Sequence, residues 1–121
     1  MSVLVWVGVA VLGGAGAIGR FALDSLVSAR FGRDFPLGTL AVNLSGAFFL
    51  GLLVGAAVRG HGYLLAGTAA LGSYTTFSTW MLESQRLGED GELGGLALNL
   101  LLSAAVGLGA AALGRAIGAG L

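Results

Sequence analysis

Residues 73–80 read SYTTFSTW and interleave hydroxyl side chains with aromatic rings. The hydroxyls are those of Ser73, Thr75, Thr76, Ser78 and Thr79, and the rings are those of Tyr74, Phe77 and Trp80. Hydroxyls donate hydrogen bonds and aromatic edges carry partial positive charge, so both can face a small desolvated anion. An isolated Ser or Thr in a membrane helix usually bonds back to its own backbone. The density of hydroxyls here, followed by Glu83, instead favours a polar pathway.

The same segment carries a continuous polar stripe if it is helical. At 100° per residue, a stripe about 80° wide contains four polar side chains, those of Thr76, Thr79, Glu83 and Arg86. Trp80 lies beside this stripe. The later half of the helix therefore presents hydroxyls and a carboxylate next to an aromatic ring.

Poor helix formers lie at the start of that stripe. Gly72 and the β-branched pair Thr75 and Thr76 disfavour a helix, so we predict a break at residues 72–75. Non-helical backbone at bilayer depth is tolerated only where it is buried in protein or lines a cavity. The carbonyls freed by a break can bind a cation, and the N-terminus of the following half-helix favours an anion. A kink with a purely structural role is the alternative.

The composition is that of a protein that spans a lipid bilayer. The 121-residue chain is 56% hydrophobic and 10% charged, with a mean hydropathy of +0.93, whereas soluble domains are about 25% charged. Six acidic residues balance six arginines, which leaves no net charge to attract nucleic acid. The chain has no cysteine, and His61 alone cannot form a metal site. Because no nucleophile–base pair or phosphate loop is present, we do not expect an enzyme.

Four apolar stretches of about 20 residues predict four transmembrane helices in a single all-α domain spanning residues 1–121. We place the helices at about residues 3–27, 36–58, 63–87 and 93–118, with Pro36 in the first turn of the second. The first stretch follows no basic residue and exceeds the length of a signal peptide, so we expect it to be retained. Short connections make neighbouring helices antiparallel and put both termini on one side.

The arginines are distributed almost evenly between the two membrane sides. Arg59 and Arg115 lie on the side of the termini, and Arg30, Arg33 and Arg86 lie on the other. Because an excess of Lys and Arg marks the cytoplasmic side, this slight bias permits insertion in both orientations and an antiparallel dimer. A single orientation set by loop context is the alternative. In an antiparallel dimer the two-fold axis lies at mid-depth, where a mid-span break could sit on it.

Small residues recur every four positions on two of the predicted helices. The second helix has Asn43, Ala47, Gly51 and Gly55, and the fourth has Gly95, Asn99, Ser103, Gly107 and Ala111. Rows of small residues let helix backbones approach closely in lipid. An amide that faced lipid would lack hydrogen-bond partners, so we expect both rows to face protein or a polar path.

Donor groups predominate among the polar groups of the predicted spans. They comprise hydroxyls, two amides, aromatic edges and Arg20, and no span offers the ring of carboxylates expected of a cation pore. The sequence therefore predicts a pathway for a small anion.

The chain resembles the Fluc/CrcB family of fluoride ion channels. The resemblance covers nearly the whole chain: four short spans, GAGAIGR at Gly14–Arg20, an asparagine in the second span and GSYTTFSTW at Gly72–Trp80. It implies a dual-topology antiparallel homodimer in the cell inner (plasma) membrane. Fluoride would leave the cytoplasm passively through two pores, which would give the cell fluoride resistance.

The resemblance also implies roles for individual residues. Phe77 and Trp80 would contact fluoride with their ring edges. The rest of the ion pathway would comprise Asn43, Ser78, Thr79, Ser103, Arg20 near a vestibule and Glu83 toward one end. The backbone carbonyls of Gly72 and Thr75 would hold a structural Na⁺ ion at the dimer centre.

Trp80 departs from the family pattern, because the best-known members have phenylalanine at this position. Indole is larger than phenyl and has an N–H donor. It could preserve the contact with the anion through that N–H, or it could narrow the pore and slow conduction.

Two other functions are weighed against the channel. A small multidrug transporter would bind cationic drugs with a carboxylate in its first helix, whereas the first acid here is Asp24, toward the end of that span. A non-conducting scaffold or holin-like protein would tolerate apolar residues at Asn43, Phe77 and Ser103.

Overall fold

The computed structural model describes all residues, 1–121, and is entirely helical, without strands. We name the helices α1 (Val3–Phe31), α2 (Leu37–Gly55), α3 (residues 60–74), α4 (Ser78–Glu89) and α5 (Leu93–Ala119). The prediction of an all-α protein is thus confirmed. Helices α3 and α4 are the two halves of the third predicted span.

Helix α1 has a polar cap at each end. The Ser2 hydroxyl accepts a hydrogen bond from the Val5 N–H at 3.3 Å, which satisfies one of the free donors of the first turn. The helix ends where Gly32 adopts a φ of 81° and donates its N–H to the Ser28 carbonyl at 2.8 Å. We predicted an end near residue 27. The helix continues to Phe31 because no glycine or proline interrupts it before Gly32.

Helix α2 begins directly after Pro36, which precedes the first helical residue instead of occupying the first turn, and ends at Gly55. We predicted an end near residue 58. The earlier end follows from Ala57, whose φ of 59° lies in the left-handed region and cannot continue a helix. Gly60 has a φ of 61°, which glycine adopts at no steric cost, and starts the chain back into α3.

Helix α3 consists of three consecutive pieces with different hydrogen-bond patterns. They are α-helical Gly60–Gly62, π-helical Tyr63–Leu71 and α-helical Gly72–Tyr74. π-helical turns are rare and are frequent at functional sites. Within this one, Gly67 is buried beneath the ring of Tyr63, to which a Cβ at Gly67 would lie at 3.4 Å.

The third span is broken, as predicted, but the break lies further along the chain than expected. Residues 72–74 are helical, and residues 75–77 are not. Thr75 has an extended backbone, with a ψ of 161°. The prediction of a break at 72–75 was wrong at residues 72–74 and correct at Thr75, because contacts with α2 select the residues that leave the helix. The Thr75 methyl group lies where a Cβ on Gly46 would be.

Helices α2 and α5 pack through glycines whose Cα atoms lie against backbone carbonyls of the other helix. No Cβ would fit at Gly51, Gly55, Gly114 or Gly118. Such close approach is the role of small residues in membrane helices. The row predicted in the second helix is confirmed at Gly51 and Gly55. At Gly107, in the row predicted in the fourth helix, no other atom of the chain lies within 4 Å of a Cβ, so the prediction stays a prediction at that position.

The apolar surface identifies a membrane protein. Three helices, α1, α2 and α5, are long and apolar enough to cross a bilayer, and the third of the four predicted spans is divided between α3 and α4. Only 14 of 121 residues are buried, so most large apolar side chains face outward. The loop at Arg33–Phe35 and the turn at Asp90–Glu92 line one cavity and therefore lie at the same end.

Candidate functional site

The side chain of Asn43 holds the broken backbone of the third span. Its Oδ1 accepts the Thr76 N–H at 2.8 Å, and its Nδ2 donates to the Thr76 carbonyl at 2.8 Å. One side-chain amide thus replaces both backbone hydrogen bonds that Thr76 would make in a continuous helix. Leaving a backbone group unpaired in lipid costs on the order of several kcal/mol. Because Asn43 pairs both groups of Thr76, the break can persist.

Thr76 also starts the second half-helix. Its Oγ1 accepts the N–H of Thr79 at 3.2 Å and donates to the Thr79 hydroxyl at 3.1 Å. This is the geometry of an N-cap, in which a threonine oxygen satisfies a free N–H of the first turn. The exposed Ser78 hydroxyl lies 3.4 Å from the same Thr76 oxygen. Three of the predicted hydroxyls therefore form one local chain.

The break leaves polar backbone groups without partners inside the chain. The Thr75 carbonyl accepts no hydrogen bond, and the Phe77 N–H donates none. Gly72 lacks its usual helical donor, because the Thr76 N–H is bonded to Asn43. Free carbonyls at Gly72 and Thr75 are suited to a cation, whereas the free N–H at Phe77, at the start of α4, is suited to an anion.

A cavity of about 520 Å³ lies on one side of the break and contains the aromatic pair. Asn43, Gly72, Thr75, Phe77 and Trp80 all contribute to its wall. The Phe77 and Trp80 rings are edge-to-face, with centroids 5.8 Å apart and planes at 85°. The Phe77 ring is 70% exposed within the single chain, so its edges are open to a bound species.

A second cavity, of about 270 Å³, lies on the other side of the break. Arg20 contributes to it from α1, Thr39 from α2, and Thr76 and Thr79 from the segment around the break. Because Thr76 lines both cavities, they meet at the broken backbone. The lining supplies one guanidinium and three hydroxyls, which are the donors that an anion needs once it has lost water, and it also includes the carboxylate of Asp24.

Helix α4 is tied to α5 by hydrogen bonds that surround Trp80. The indole Nε1 donates to the Asn99 carbonyl at 3.1 Å. Asn99 Nδ2 donates to the Ser84 hydroxyl at 2.8 Å, and that hydroxyl donates to the Trp80 carbonyl at 2.8 Å. Ser103 lies outside both cavities, and its hydroxyl donates to Asn99 Oδ1 at 3.5 Å.

Glu83 lies beyond the two cavities, toward the loop end of α4. It lines a surface recess with Arg86, and its Oε1 is buried without a hydrogen-bond partner. Arg86 donates to the Arg33 carbonyl at 3.2 Å, and Arg33 lies 3.9 Å from the carboxylate of Asp24. Of the polar stripe predicted for this helix, Thr76 and Thr79 line the cavity that contains Arg20, whereas Glu83 and Arg86 line the recess.

Sequence reasoning missed three polar residues: Thr39 and Ser84 at the site, and Ser45, which pairs with Tyr74. Thr39 is 3% exposed and lies four residues, about one helical turn, before Asn43. It therefore continues the four-residue spacing of Asn43, Ala47, Gly51 and Gly55 toward the N-terminus, and that spacing would have found it. Ser84 lies four residues after Trp80 and is also 3% exposed. The Tyr74 hydroxyl lies 2.8 Å from that of Ser45, a pairing with no signal in the sequence.

Fold and site together define a class: small helical membrane proteins with a broken span whose free backbone groups face polar and aromatic cavities. A family described as "CrcB-like protein, Camphor Resistance (CrcB)" matches residues 7–115. The chain belongs to this CrcB family.

Relatives from several organisms cover nearly the whole chain. "Fluoride-specific ion channel FluC 2" of Mycolicibacterium paratuberculosis is 54% identical over 114 residues, which are 94% of this chain and 93% of that protein. The protein of the same name from Mycobacterium tuberculosis is 50% identical over 95% of this chain and 91% of its own length. "Fluoride-specific ion channel FluC 1" of Symbiobacterium thermophilum is 42% identical over 95% of this chain and 98% of that protein.

Proposed function

We propose that this protein is a fluoride-selective passive channel that lets fluoride out of the cytoplasm across the cell inner membrane. The observation that carries the proposal is the broken helix, where a free N–H, exposed aromatic edges and a chain of hydroxyls come together. The names of the relatives, which specify fluoride, support the choice of ion.

The donors at the break suit an anion that is small and strongly hydrated. Fluoride gives up its water only where donors replace it at short range. Arg20 and Thr39 line the polar cavity, and Thr76 leads from that cavity to the aromatic one. There the ion would meet the Phe77 N–H and the edges of the Phe77 ring, whose partial positive charge replaces lost hydrogen bonds.

Asn43 serves this pathway through the backbone. Both ends of its amide are bonded to Thr76, so its first role is to keep the break open and the Phe77 N–H free. The remaining Nδ2 hydrogen is available to the cavity that Asn43 lines. Ser103, Glu83 and Ser78 belong to the proposed pathway as flanking polar groups, and a second copy of the chain would bring them alongside it.

The proposed assembly is an antiparallel homodimer with two pores. The strongest structural support is the exposure of the Phe77 ring at mid-span, where a lone chain would present the pathway to lipid. A second copy, related by an axis in the membrane plane, would cover that side and pass its own Phe77 to the other pore. The nearly even distribution of arginines supports insertion in both orientations.

The residues at the break also fit a structural Na⁺ ion on that axis. The fit rests on the Thr75 carbonyl, which has no hydrogen-bond donor, and on the Gly72 carbonyl, which has lost its helical one. Two copies would supply four such oxygens. When bound, the ion would neutralise these facing carbonyl dipoles and so hold the two broken backbones together.

Fluoride efflux from liposomes tests the proposal. Purified protein in vesicles loaded with potassium fluoride should release fluoride to an electrode when valinomycin is added, with no proton gradient. Phe77→Ile should slow this release about tenfold or more. A tenfold slowing corresponds to an increase of about 1.4 kcal/mol in the free-energy barrier to permeation. The dimer should remain folded.

The matched control is Phe49→Ile. Phe49 also belongs to an edge-to-face pair, with Phe48 at 5.4 Å and 78°, but it lies outside both cavities of the site. It should release fluoride at the native rate. Vesicles that hold their fluoride would refute the channel, whereas equal rates for Phe77→Ile and the native protein would refute the role of the Phe77 ring. Proton-coupled uptake of a cationic drug would favour the multidrug alternative.

A further inference from the structure

The indole N–H of Trp80 is already bonded within the chain and cannot also point to a permeant ion. It donates to the backbone carbonyl of Asn99 on α5 at 3.1 Å. A carbonyl in the middle of a helix has a second lone pair, so this bond adds to the helical one without replacing it. Of the two effects that the sequence left open for Trp80, the N–H contact with the anion is therefore excluded by the geometry.

A second arm of hydrogen bonds joins the same two residues. Asn99 Nδ2 donates to Ser84, and Ser84 donates to the Trp80 carbonyl, each at 2.8 Å. Asn99 is 1% exposed and Ser84 is 3% exposed. Trp80 is thus held to α5 by its ring and by its backbone, and we name this closed set of Trp80, Ser84 and Asn99 the indole clasp.

We propose that Trp80 is a positioning residue, and that the indole clasp sets the orientation of the aromatic pair. Helix α4 begins after a break, so the direction of its axis is not fixed by a continuous helix running on from α3. Trp80 lies in the first turn of α4, where the clasp anchors that turn to α5. The anchored indole then meets Phe77 edge-to-face at 85°, which limits the rotation of the ring that faces the cavity.

This inference rests on the proposed function for its flux readout but makes a structural claim of its own. A phenylalanine at position 80 could fill space beside Phe77 but has no donor for the Asn99 carbonyl. The bulk of the indole and its N–H must therefore be separated. Replacement of Trp80 by β-(3-benzothienyl)alanine does this, because sulfur takes the place of N–H in a ring of the same shape.

The first measurement is fluoride efflux from vesicles. The benzothienyl variant should release fluoride about fivefold more slowly than the native protein, the factor expected when one net hydrogen bond no longer holds the conducting orientation. Trp6→Phe is the control, because Trp6 is the other tryptophan and is exposed on α1, outside the clasp. A native rate for the benzothienyl variant would overturn the proposal.

The second measurement does not depend on conduction. In ¹⁵N spectra of the protein in nanodiscs, the two indole N–H signals are assigned by the loss of one in Trp6→Phe. Ser84→Ala breaks the backbone arm and should shift the Trp80 signal while leaving that of Trp6 in place. If the Trp80 signal does not move, the clasp is refuted. If the native protein conducts no fluoride, the proposed function fails, and the clasp stands or falls on this spectrum alone.

Discussion

At the scale of single residues, the Asn43 side chain makes the two hydrogen bonds to the Thr76 backbone that a continuous helix would otherwise provide. Asn43→Leu keeps the size of the side chain but leaves the Thr76 N–H and carbonyl without partners. Each unsatisfied group costs about 1–3 kcal/mol, so with two such groups we expect the free energy of unfolding to fall by about 2–6 kcal/mol. Unfolding in mixed detergent–SDS micelles measures this change, and fluoride efflux should be lost with it.

The control for Asn43→Leu is Gln85→Leu, which also exchanges an amide for an isobutyl group. Gln85 is exposed and bonds only to Glu89, at 3.1 Å, so its replacement should cost less than about 0.5 kcal/mol. If the two variants lower the free energy of unfolding equally, the hydrogen bonds of Asn43 to Thr76 do not stabilise the break.

Thr76 provides a second test at this scale, because its hydroxyl caps α4. Thr76→Val keeps the β-branched shape and removes the oxygen that accepts the Thr79 N–H. We expect a loss of about 1 kcal/mol in unfolding free energy, the usual cost of an N-cap. Thr68→Val, at an exposed site on α3, is the comparison and should leave stability within about 0.5 kcal/mol. A stable Thr76→Val protein would show that the cap contributes nothing.

The sequence predicted which residues carry the polar groups but not their partners. Phe77, Trp80 and Asn43 line one cavity, as their types suggested. Asn99, in contrast, was predicted only to avoid lipid, and its bonds to Ser84 and Trp80 depend on how α4 is rotated against α5. Helical periodicity fixes the face of a side chain on its own helix. It does not fix which face of the neighbour it meets.

At the scale of helices, the contact between α2 and α5 depends on glycines that have no room for a methyl group. Gly51→Ala would press a Cβ into the Ala111 carbonyl, so the two backbones must separate. We expect a loss of about 1–3 kcal/mol in unfolding free energy, measured in mixed micelles.

The comparison for Gly51→Ala is Gly94→Ala, also within a membrane helix but with no atom within 4 Å of the added Cβ. Alanine is the better helix former by about 1 kcal/mol, so this variant should be neutral or more stable. If Gly51→Ala and Gly94→Ala change the free energy of unfolding by the same amount, then the effect of these substitutions comes from helix propensity and not from close packing.

Helix ends and breaks show why local preference was an incomplete guide. Gly72 is a poor helix former, yet it remains helical, and the chain leaves the helix at Thr75. The reason is tertiary, because Gly46 accommodates Thr75 and Asn43 bonds to Thr76. The propensities located the break to within one turn. The contacts with α2 selected the residues.

At the scale of the molecule, hydropathy predicted the number of apolar stretches, and the short connections between them predicted their antiparallel order. The family resemblance, confirmed by the match over residues 7–115, led to the proposal of fluoride as the ion, which composition alone could not do. The proposed arrangement of two chains is not encoded in any single helix. It depends on a bias of a few arginines, which is why orientation must be measured.

The proposed dual topology predicts the labelling of introduced cysteines, since the native chain has none. Asp34→Cys lies in the loop between α1 and α2, and His61→Cys lies at the opposite end, at the start of α3. Spheroplasts preserve the orientation set during synthesis, whereas reconstitution would randomise it. An impermeant maleimide added outside should therefore label about half of each variant, because equal numbers of chains face each way. After permeabilisation, labelling of both should become complete. A single orientation would give nearly full labelling of one variant and none of the other, and antiparallel pairing would then be impossible whatever the flux.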